Sequence, residues 1–498
     1  MGKLLEPLRF LDRLEMDAIH AAAVQILDET GMWIDSDEAL DYLEAYGCRV
    51  DRAAHRVYFT PDVTQRAVQA MRAAYANPGR IPERMCQRYS QIYFSTRPFR
   101  IHDDFSTNTG GFCVFIYDLE GRRRPATMED VRASIRLADA LPNIDFMGLP
   151  VSAQEIPSVM NPVVMAAELV KTTRKLGGVE TFDRMDVDFI TRIAEIAAGG
   201  PAALRREPIL VGYAEARSPL CLDRNMAEIL VGYVQKGLPQ SLDTMPNGGM
   251  TAPMTPAGTL ALGIAETLGG LILGYAVDPN AVMSIDVVPS IADMRTGLYA
   301  YASFERMPVL AGATQMINEY YGCPSGTHGG KTDACFPGVQ AGMEKVMSIL
   351  FPALAGSIGV GTMGHLENAV TFSPQQLVID NEIAGGIRHM LRGFEVNPAT
   401  LATEVVRQVG PNGSFFAHEH TLEHLRQVVY PSRLLDRSNW SAVVSSDLRG
   451  IEGRAAQVAA ELMRAERPRP LSEDQERGID EIVTEAWAKR RERRQLPN

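Results

Sequence analysis

The 498-residue sequence has no closely spaced cysteines. Its six cysteines are scattered along the chain, and no two of them form a CxxC pair. A disulfide framework or a thiolate zinc site requires cysteines at paired spacings. The sequence therefore predicts neither, and most of the cysteines are expected to be small buried side chains.

Long apolar runs and a secretion signal are also missing. No window of about 18 residues is apolar without interruption, and Met1–Phe10 lacks the apolar core that follows the positive charges of a signal peptide. With 46% hydrophobic and 22% charged residues, the composition is that of an ordinary globular protein. We therefore predict a cytoplasmic protein with no membrane partner.

An excess of positive charge is the third missing feature. The 49 Lys and Arg residues against 61 Asp and Glu residues give a formal net charge of -12. A surface that binds nucleic acid must neutralise phosphates, so this balance argues against a nucleic-acid partner.

The first hundred residues predict an N-terminal helical region. Apolar residues on one helical face predict a helix over about 13–30. Asp35, with Glu38 three residues later, predicts the start of a second helix. Apolar and polar residues alternate over 88–120, which predicts strands and hairpins. We place the helical region at 1–100.

Strands and helices alternate from Thr127, which forms a capping pair with Asp130. Strands are predicted at 144–150, 176–179, 209–213, 240–243, 282–287, 323–327 and 358–361, with helices such as 257–276, 338–354 and 373–392. An eighth strand is expected within 88–120, and no Gly-x-Gly-x-x-Gly follows the first strand. The pattern favours a (β/α)8 TIM barrel over an open sheet. We assign the barrel to 101–394, and to 395–498 a C-terminal helical extension packed on it.

Functional residues of such a barrel lie just after the C-terminal ends of its strands. Those positions hold Glu180, Thr181, Tyr213, Glu215, Met245, Asn247, Gly248, Asp286, Ser325, Thr327, His328, Lys331, Asp333, His365 and Glu367. We interpret His328 and His365 as substrate contacts, with a metal site or a structural role as alternatives. Lys331 and Asp333 either pair with each other or face the ligand.

The segment HEHTLEH at 418–424 looks at first like a set of zinc ligands. His420 and His424 are four residues apart, as in zincins, but Glu423 is displaced from the position that HExxH requires. We interpret the segment as a polar helix start or an interface, and we predict no metal site.

Aromatic residues near the presumed mouth are Tyr213, Tyr320, Tyr321 and Phe336. Aromatic faces attract quaternary ammonium groups, at about 0.5–2 kcal/mol for each desolvated contact. For any single one of these residues, ordinary core packing is the simpler interpretation.

Several segments resemble the trimethylamine methyltransferase family, and the resemblance covers nearly the whole chain. They are DLEGRRRPATMEDVRASIRLADALPNID at 118–145, PNGGMTAPMTPAGTLALGIAE at 246–266, CPSGTHGGKTDACFPGVQAGMEK at 323–345, ENAVTFSPQQLVIDNEI at 367–383 and HEHTLEHLR at 418–426. Members of this family are TIM barrels that move a methyl group from a methylated amine to the Co(I) corrinoid of a separate carrier protein.

The founding members carry pyrrolysine, whereas this chain is written in standard residues. The resemblance therefore implies the branch without pyrrolysine, which acts on quaternary amines such as glycine betaine, proline betaine and carnitine. It implies a corrinoid carrier protein as partner, no permanently bound cofactor and a homo-oligomer. The expected substrate-binding residues are His328, Lys331, Asp333, His365, Glu367, Tyr213, Asn247, Tyr320 and Phe336, with no catalytic group beyond those that position the substrate.

Three other readings stay open from the sequence. The methyl group could pass to tetrahydrofolate or another acceptor without a corrinoid protein. A metal-dependent barrel hydrolase or lyase would need three ligands on strand ends. A non-catalytic barrel would bind betaine without turnover.

Overall fold

The computed structural model describes residues 7–76, 105–111, 113–210, 212–444, 450–465 and 469–493. Helices span Arg13–Gln25, Asp37–Tyr46, Pro61–Ala76, Met128–Ala140, Asn161–Thr172, Arg184–Ala198, Pro201–Arg206, Arg224–Gln235, Pro256–Val277, Arg306–Gln315, Val339–Leu354, Pro374–Leu391, Pro398–Leu401, Thr403–Val409, Glu419–Val428, Trp440–Val444, Gly450–Arg464 and Glu473–Glu492. Strands span Met32–Ile34, Arg49–Asp51, Arg56–Tyr58, Ser106–Thr107, Phe115–Tyr117, Arg123–Pro125, Tyr213–Ala216, Cys221–Leu222, Gln240–Thr244, Asn247–Gly248, Met283–Val287, Ser290–Asp293, Leu298–Tyr299, Gly326–Thr327, Gly359–Val360, His365–Leu366 and Thr371–Phe372.

Three strands in the middle of the chain form a first parallel run. Gln240–Thr244 pairs with Tyr213–Ala216 on one side and with Met283–Val287 on the other. Every residue of Gln240–Thr244 and Met283–Val287 is buried, as is usual for parallel strands covered on both faces. The helix Pro256–Val277 connects these two strands and packs against them.

A second parallel run is built around Gly359–Val360, which pairs with Gly326–Thr327 and with Ser106–Thr107. Isolated parallel bridges from Asn108 to Phe146 and from Met147 to Leu176 continue this run. Ser106–Thr107 lies within 88–120, where the eighth strand is predicted. The part of that prediction at 88–104 lies outside the described residues.

The long helices agree with the sequence, whereas several strands differ from it. The helices predicted at 257–276, 338–354 and 373–392 are confirmed, with ends shifted by no more than a residue or so. The strand predicted at 209–213 was wrong in position, since the strand is Tyr213–Ala216. The segments predicted as strands at 144–150 and 176–179 make single bridges and no ladder; glycines at 148, 177 and 178 weaken a strand.

The N-terminal region is not purely helical, which corrects the prediction. Met32–Ile34, Arg49–Asp51 and Arg56–Tyr58 form an antiparallel sheet that is joined in parallel by Cys221–Leu222. Strand pairing with Cys221–Leu222, together with packing of the N-terminal helices on Pro256–Val277, therefore ties this region to the middle of the chain.

The start of the second helix was also predicted one residue too early. Ser36, and not Asp35, is its N-cap, because the Ser36 hydroxyl accepts a hydrogen bond from the Ala39 amide at 3.3 Å. Asp35 instead accepts hydrogen bonds from Arg224.

Two C-terminal helices pack on the rest of the chain. Gly450–Arg464 lies against Pro374–Leu391 and Met128–Ala140, while Glu473–Glu492 lies against Arg184–Ala198 and Asn161–Thr172. The domain limits at 100 and 394 remain predictions.

Among the described residues, Pro256–Val277 is the one helix long and apolar enough to cross a membrane, and 89% of its most apolar window is buried in the protein. Glu266, in the middle of this helix, accepts hydrogen bonds from Ser218 at 2.7 Å and from the Leu220 amide at 2.8 Å. It thereby fixes the turn that follows the strand Tyr213–Ala216.

Candidate functional site

Three carboxyl groups lie side by side on the first parallel run. In its register Glu215 pairs with Asp243, and Asp243 pairs with Asp286. Register partners on parallel strands point to the same side of the sheet, with their backbones about 4.8 Å apart. Two carboxylates about 5 Å apart repel each other by about 3 kcal/mol at an effective dielectric constant of 20.

A fourth carboxyl group, that of Glu180, joins this row from the segment after Leu176–Val179. We call Glu180, Glu215, Asp243 and Asp286 the carboxyl cluster. Burial, with the neighbouring Glu215 as second cause, raises the pKa of Glu180 to about 7. Burial also raises the pKa of Asp243 to about 7 and that of Glu215 above its usual value. Near neutral pH the cluster therefore holds protons.

Asp286 also holds two strands together. Its carboxylate accepts hydrogen bonds from the Ser325 hydroxyl and the Gly326 amide, both at 2.9 Å. Both segments are fully described, and no ladder pairs Met283–Val287 with Gly326–Thr327. The side chain takes the place of the missing main-chain bonds. Burial nevertheless raises the pKa of Asp286 well above its usual range, with the neighbouring Asp243 as second cause.

Glu180 sits tightly against the loop that follows Ser106–Thr107. A Cβ atom on Gly111 would come within 2.4 Å of its Oε1, so a larger residue at 111 would displace the Glu180 carboxyl group. Tyr213 gives Glu180 a hydrogen bond that partly offsets the effect of burial on its pKa.

Lys331 is the cation of the site and is only 5% exposed. Its Nζ lies 3.9 Å from the centre of the Tyr301 ring and 3.4 Å from Nδ1 of His328. Burial, together with the charge of Lys331, lowers the pKa of His328 well below 6.5. His328 is therefore neutral, and it can accept a hydrogen bond from the lysine.

His365 is fully buried, and neither ring nitrogen has a hydrogen-bond partner of normal geometry among the described residues. Burial and the nearby Lys331 lower its pKa well below 6.5. The preceding residue, Gly364, is held in place by Asp380, to which its amide donates a hydrogen bond at 2.6 Å. Asp380 in turn forms a fully buried ion pair with Lys345. A neutral imidazole is thus held in place with unused hydrogen-bonding capacity.

These groups surround a cavity of about 320 Å³, a volume within the usual range for small-molecule sites. Eight chain segments contribute to its lining, through residues that include Gly110, Gly148, Glu180, Glu215, Asp243, Asp286, His328 and His365. The site can hold a small ligand with a positive group at the carboxyl cluster. Lys331 and the two imidazoles can face polar or negative groups of that ligand.

Comparison with known proteins places the chain in a family. The family model described as "Trimethylamine methyltransferase (MTTB)" matches residues 2–493. The chain belongs to the trimethylamine methyltransferase family. The resemblance inferred from the sequence is thereby confirmed, and so, at the level of the family, is the prediction of a methyltransferase.

Relatives of this trimethylamine methyltransferase family member are similar over most of their length. The chain is 28% identical to the glycine betaine methyltransferase of Desulfitobacterium hafniense strain Y51, over 88% of this chain and 89% of the relative. It is 29% identical to the trimethylamine methyltransferase MttB of Desulfitobacterium hafniense strain DSM 10664 / DCB-2, over 95% of this chain and 92% of the relative. The crystal structure of the Methanosarcina barkeri monomethylamine methyltransferase (MtmB) is 14% identical, covers 96% of this chain and 94% of that chain, and has a TM-score of 0.47.

Of the residues expected to bind substrate in this family member, four line the cavity. They are Tyr213, His328, Lys331 and His365. The other five, Asp333, Glu367, Asn247, Tyr320 and Phe336, do not line it.

Asp333 and Glu367 hold segments next to the cavity in place through hydrogen bonds. Asp333 accepts hydrogen bonds from the amides of Tyr301 at 2.9 Å and Ala302 at 3.2 Å, and so positions the ring under Lys331. Glu367 accepts hydrogen bonds from Arg123 at 2.7 Å and from the Thr371 hydroxyl at 2.5 Å. Neither carboxylate pairs with Lys331 in the described contacts.

The remaining three residues also lie outside the cavity. Asn247 turns its amide toward the Met250 sulfur at 3.7 Å. The Tyr320 ring packs against His20 and under the Arg13 guanidinium, in the N-terminal region. Phe336 is 62% exposed on the surface.

Sequence reasoning missed the carboxyl cluster as a unit. Glu180, Glu215 and Asp286 were recognised as strand-end positions but not chosen, and Asp243 was taken only as the last residue of a strand. A usable signal was present, since SLDT at 241–244 and SIDV at 284–287 repeat one acid within an apolar strand.

Within the described ranges, no group of three or more His, Cys, Asp and Glu residues has the geometry to hold a metal ion. In HEHTLEH, His418 caps the helix Glu419–Val428, with its Nδ1 accepting from the His420 amide at 3.1 Å. The rings of His420 and His424 lie 4.3 Å apart. This geometry agrees with the interpretation of a polar helix start.

Proposed function

We propose that this protein removes a methyl group from a small quaternary amine, glycine betaine or a related betaine, and passes it to the Co(I) corrinoid of a carrier protein. The observation that carries the proposal is the cavity in which the carboxyl cluster and Lys331 face one ligand-sized space. A betaine has a permanent positive charge and a carboxylate, and it matches both halves of this lining. Family membership and the similarity to a glycine betaine methyltransferase support the same reaction.

In this proposal the chain binds and aims the substrate. The ammonium group lies against Glu180, Glu215 and Asp243, and the substrate carboxylate faces Lys331, with His365 as a neutral donor. An N–CH₃ bond then points to the mouth, where a separate carrier protein supplies the nucleophilic cobalt. Holding two reactants in line can by itself lower a barrier by about 7–11 kcal/mol.

No general acid is required for this reaction. The leaving group is a neutral tertiary amine, which departs without gaining a proton. The positive charge on nitrogen decreases as the bond to the methyl group breaks, so a fully ionised carboxyl cluster would stabilise the bound substrate more than the transition state. The raised pKa values of Glu180 and Asp243, both about 7, limit that effect.

We also propose that the two parallel runs close into a (β/α)8 barrel. In support, parallel contacts link neighbouring segments within each run, and the cavity takes residues from the C-terminal ends of eight segments. Catalytic sites of such barrels lie at that end.

The remaining parts of the proposal concern assembly and location. A homo-oligomer is supported by exposed apolar side chains between Phe394 and Trp440, among them Phe416 at 90% exposure. A cytoplasmic location agrees with the free state of the five described cysteines.

The test is methyl transfer by the purified chain to cob(I)alamin, followed by the absorbance change on formation of methylcobalamin. Glycine betaine, proline betaine, carnitine, choline, dimethylglycine and trimethylamine are compared, with tetrahydrofolate as alternative acceptor. We expect transfer from a betaine to cob(I)alamin and none from trimethylamine. Transfer only to tetrahydrofolate, or none from any amine, would refute the proposal.

The matched variants are Glu215→Gln in the carboxyl cluster and Glu120→Gln on the surface, where Glu120 is exposed. The first should reduce kcat/KM at least tenfold, because it removes a charge beside the ammonium group. The second should leave kcat/KM unchanged. Equal rates for the two variants would show that the cavity is not the substrate site.

A further inference from the structure

Two independent features of the cavity point to a charged ligand. The carboxyl cluster supplies four acidic groups, while Lys331 is the one cationic side chain among the described lining residues. His365, fully buried and with neither ring nitrogen in a hydrogen bond of normal geometry among the described residues, lines the same space. A closed structural ion network would pair these groups with each other and leave no such capacity unused.

We propose that a permanent cation entering this cavity displaces one proton from the carboxyl cluster, so that cation binding and proton release are coupled. The inference rests on the proposed function, which makes a methylated ammonium group that cation. The displaced proton leaves to solvent, and the cation takes over its role in compensating the carboxylates.

The register of the strands explains the coupling. Glu215, Asp243 and Asp286 are direct neighbours on three strands, and buried carboxylates at this spacing cannot all stay ionised with one lysine to compensate them. A neighbouring carboxylate makes ionisation of a carboxyl group less favourable, whereas a cation beside the cluster makes it more favourable. At such distances it lowers the proton affinity of the cluster about a hundredfold.

Other titratable groups around the cluster do not release a proton near neutral pH. His328 and His365 are already neutral, since their pKa values lie well below 6.5. Below the cluster, burial raises the pKa values of Tyr75 and Cys323 above their usual ranges. At the side, burial does the same for Tyr299.

The fixed positive charges near the site are Lys331 and Arg306. The Arg306 guanidinium donates to the carbonyls of Pro289 at 3.0 Å and Tyr301 at 2.6 Å. Tyr213 faces Glu180 from the neighbouring strand as a hydrogen-bond donor. The carboxyl cluster is therefore the source of the proton.

The experiment is calorimetric titration of the full chain with tetramethylammonium and with glycine betaine. Each titration is made at pH 6, 7, 8 and 9 in two buffers that differ in ionisation enthalpy, so that the difference in heat counts the protons released. We expect release to approach one proton per cation at pH 6 and to fall toward zero at pH 9. The affinity should rise about tenfold per pH unit below pH 7 and level off above it.

The matched variants are Glu180→Gln and Asp243→Asn in the cluster and Glu120→Gln on the surface, each checked for folding by its thermal transition. We expect each cluster variant to release at most half as many protons as the wild type at pH 7, and Glu120→Gln to release as many. Two variants in the cluster keep the test valid if one of them does not fold.

The outcomes separate this inference from the proposed function. Binding with equal heats in both buffers at every pH overturns the inference and leaves the methyl transfer proposal standing. Proton-linked binding without methyl transfer to cob(I)alamin supports the inference and refutes the transfer proposal. The absence of binding by either cation between pH 6 and 9 overturns both.

Discussion

Replacement of Lys331 by methionine should distinguish recognition of the carboxylate of the proposed betaine substrate from recognition of its ammonium group. Lys331 is 5% exposed, so a substrate carboxylate that meets it is largely desolvated. A hydrogen bond to a charged group contributes about 1.5–3 kcal/mol, which corresponds to a factor of about 10–150 in affinity. Lys331→Met should therefore lower the affinity for glycine betaine by about this factor.

The same variant should bind tetramethylammonium at least as tightly as the wild type. This ligand has no carboxylate, and removal of Lys331 removes a like charge from its cavity. Lys331 also favours the ionised forms of Glu180 and Glu215, so its loss makes the cluster harder to ionise. A measurement at pH 9 limits that second effect, because the pKa of Glu180 is about 7 in the wild type.

The assay is calorimetric titration of wild type and Lys331→Met with both ligands. Lys489→Met is the control, since Lys489 is 51% exposed and pairs with Glu485 at the surface. A loss of affinity by the same factor for both ligands would refute the reasoning, because Lys331 would then support the cavity without recognising a carboxylate. Lys331→Arg, which keeps the charge, should restore part of the preference for betaine.

Three predictions concern stability. Lys345→Met leaves a buried carboxylate without its cation and should lower the free energy of unfolding in urea by about 3–5 kcal/mol. Arg295→Met, at an exposed ion pair, should leave the free energy of unfolding nearly unchanged. The pKa of Glu180 is raised from 4.5 to about 7, so the wild type loses stability as the pH rises through this window. Urea unfolding should show Glu180→Gln more stable at pH 8, by about 3 kcal/mol at most, with no difference at pH 4. Arg490→Met removes the buried partner of Asp186, whose pKa is about 6. This variant should lower the free energy of unfolding by about 3 kcal/mol at pH 8 and by less at pH 5. An equal loss at both pH values would contradict this account.

The sequence predicted those parts of the fold that depend on local patterns. The helix Pro256–Val277 has proline in its first turn and is apolar over most of its length, and both signals are visible without any tertiary contact. The strand Tyr213–Ala216 was displaced in the prediction because its limits are set by its pairing with Gln240–Thr244. Short strands take their ends from such partners rather than from their own residues.

The candidate site was predictable residue by residue but not as an arrangement. Lys331 and His365 were found because they follow predicted strands in glycine-rich loops. The alignment of Glu215, Asp243 and Asp286 depends on the register between strands that are far apart in the chain. No local pattern encodes that register, since a shift by one residue would turn each acid to the other face.

The double use of Asp286 has a consequence for how this enzyme can diverge. Between most neighbouring strands the hydrogen bonds come from the main chain, which every residue type except proline provides in full. Between Met283–Val287 and Gly326–Thr327 the bonds need one carboxylate, and the same group belongs to the cavity wall. A lineage that adapts to a new amine can exchange Tyr213 or Met245 and keep its strands together. Position 286 lacks that freedom, so descendants with altered substrates should retain an acid there.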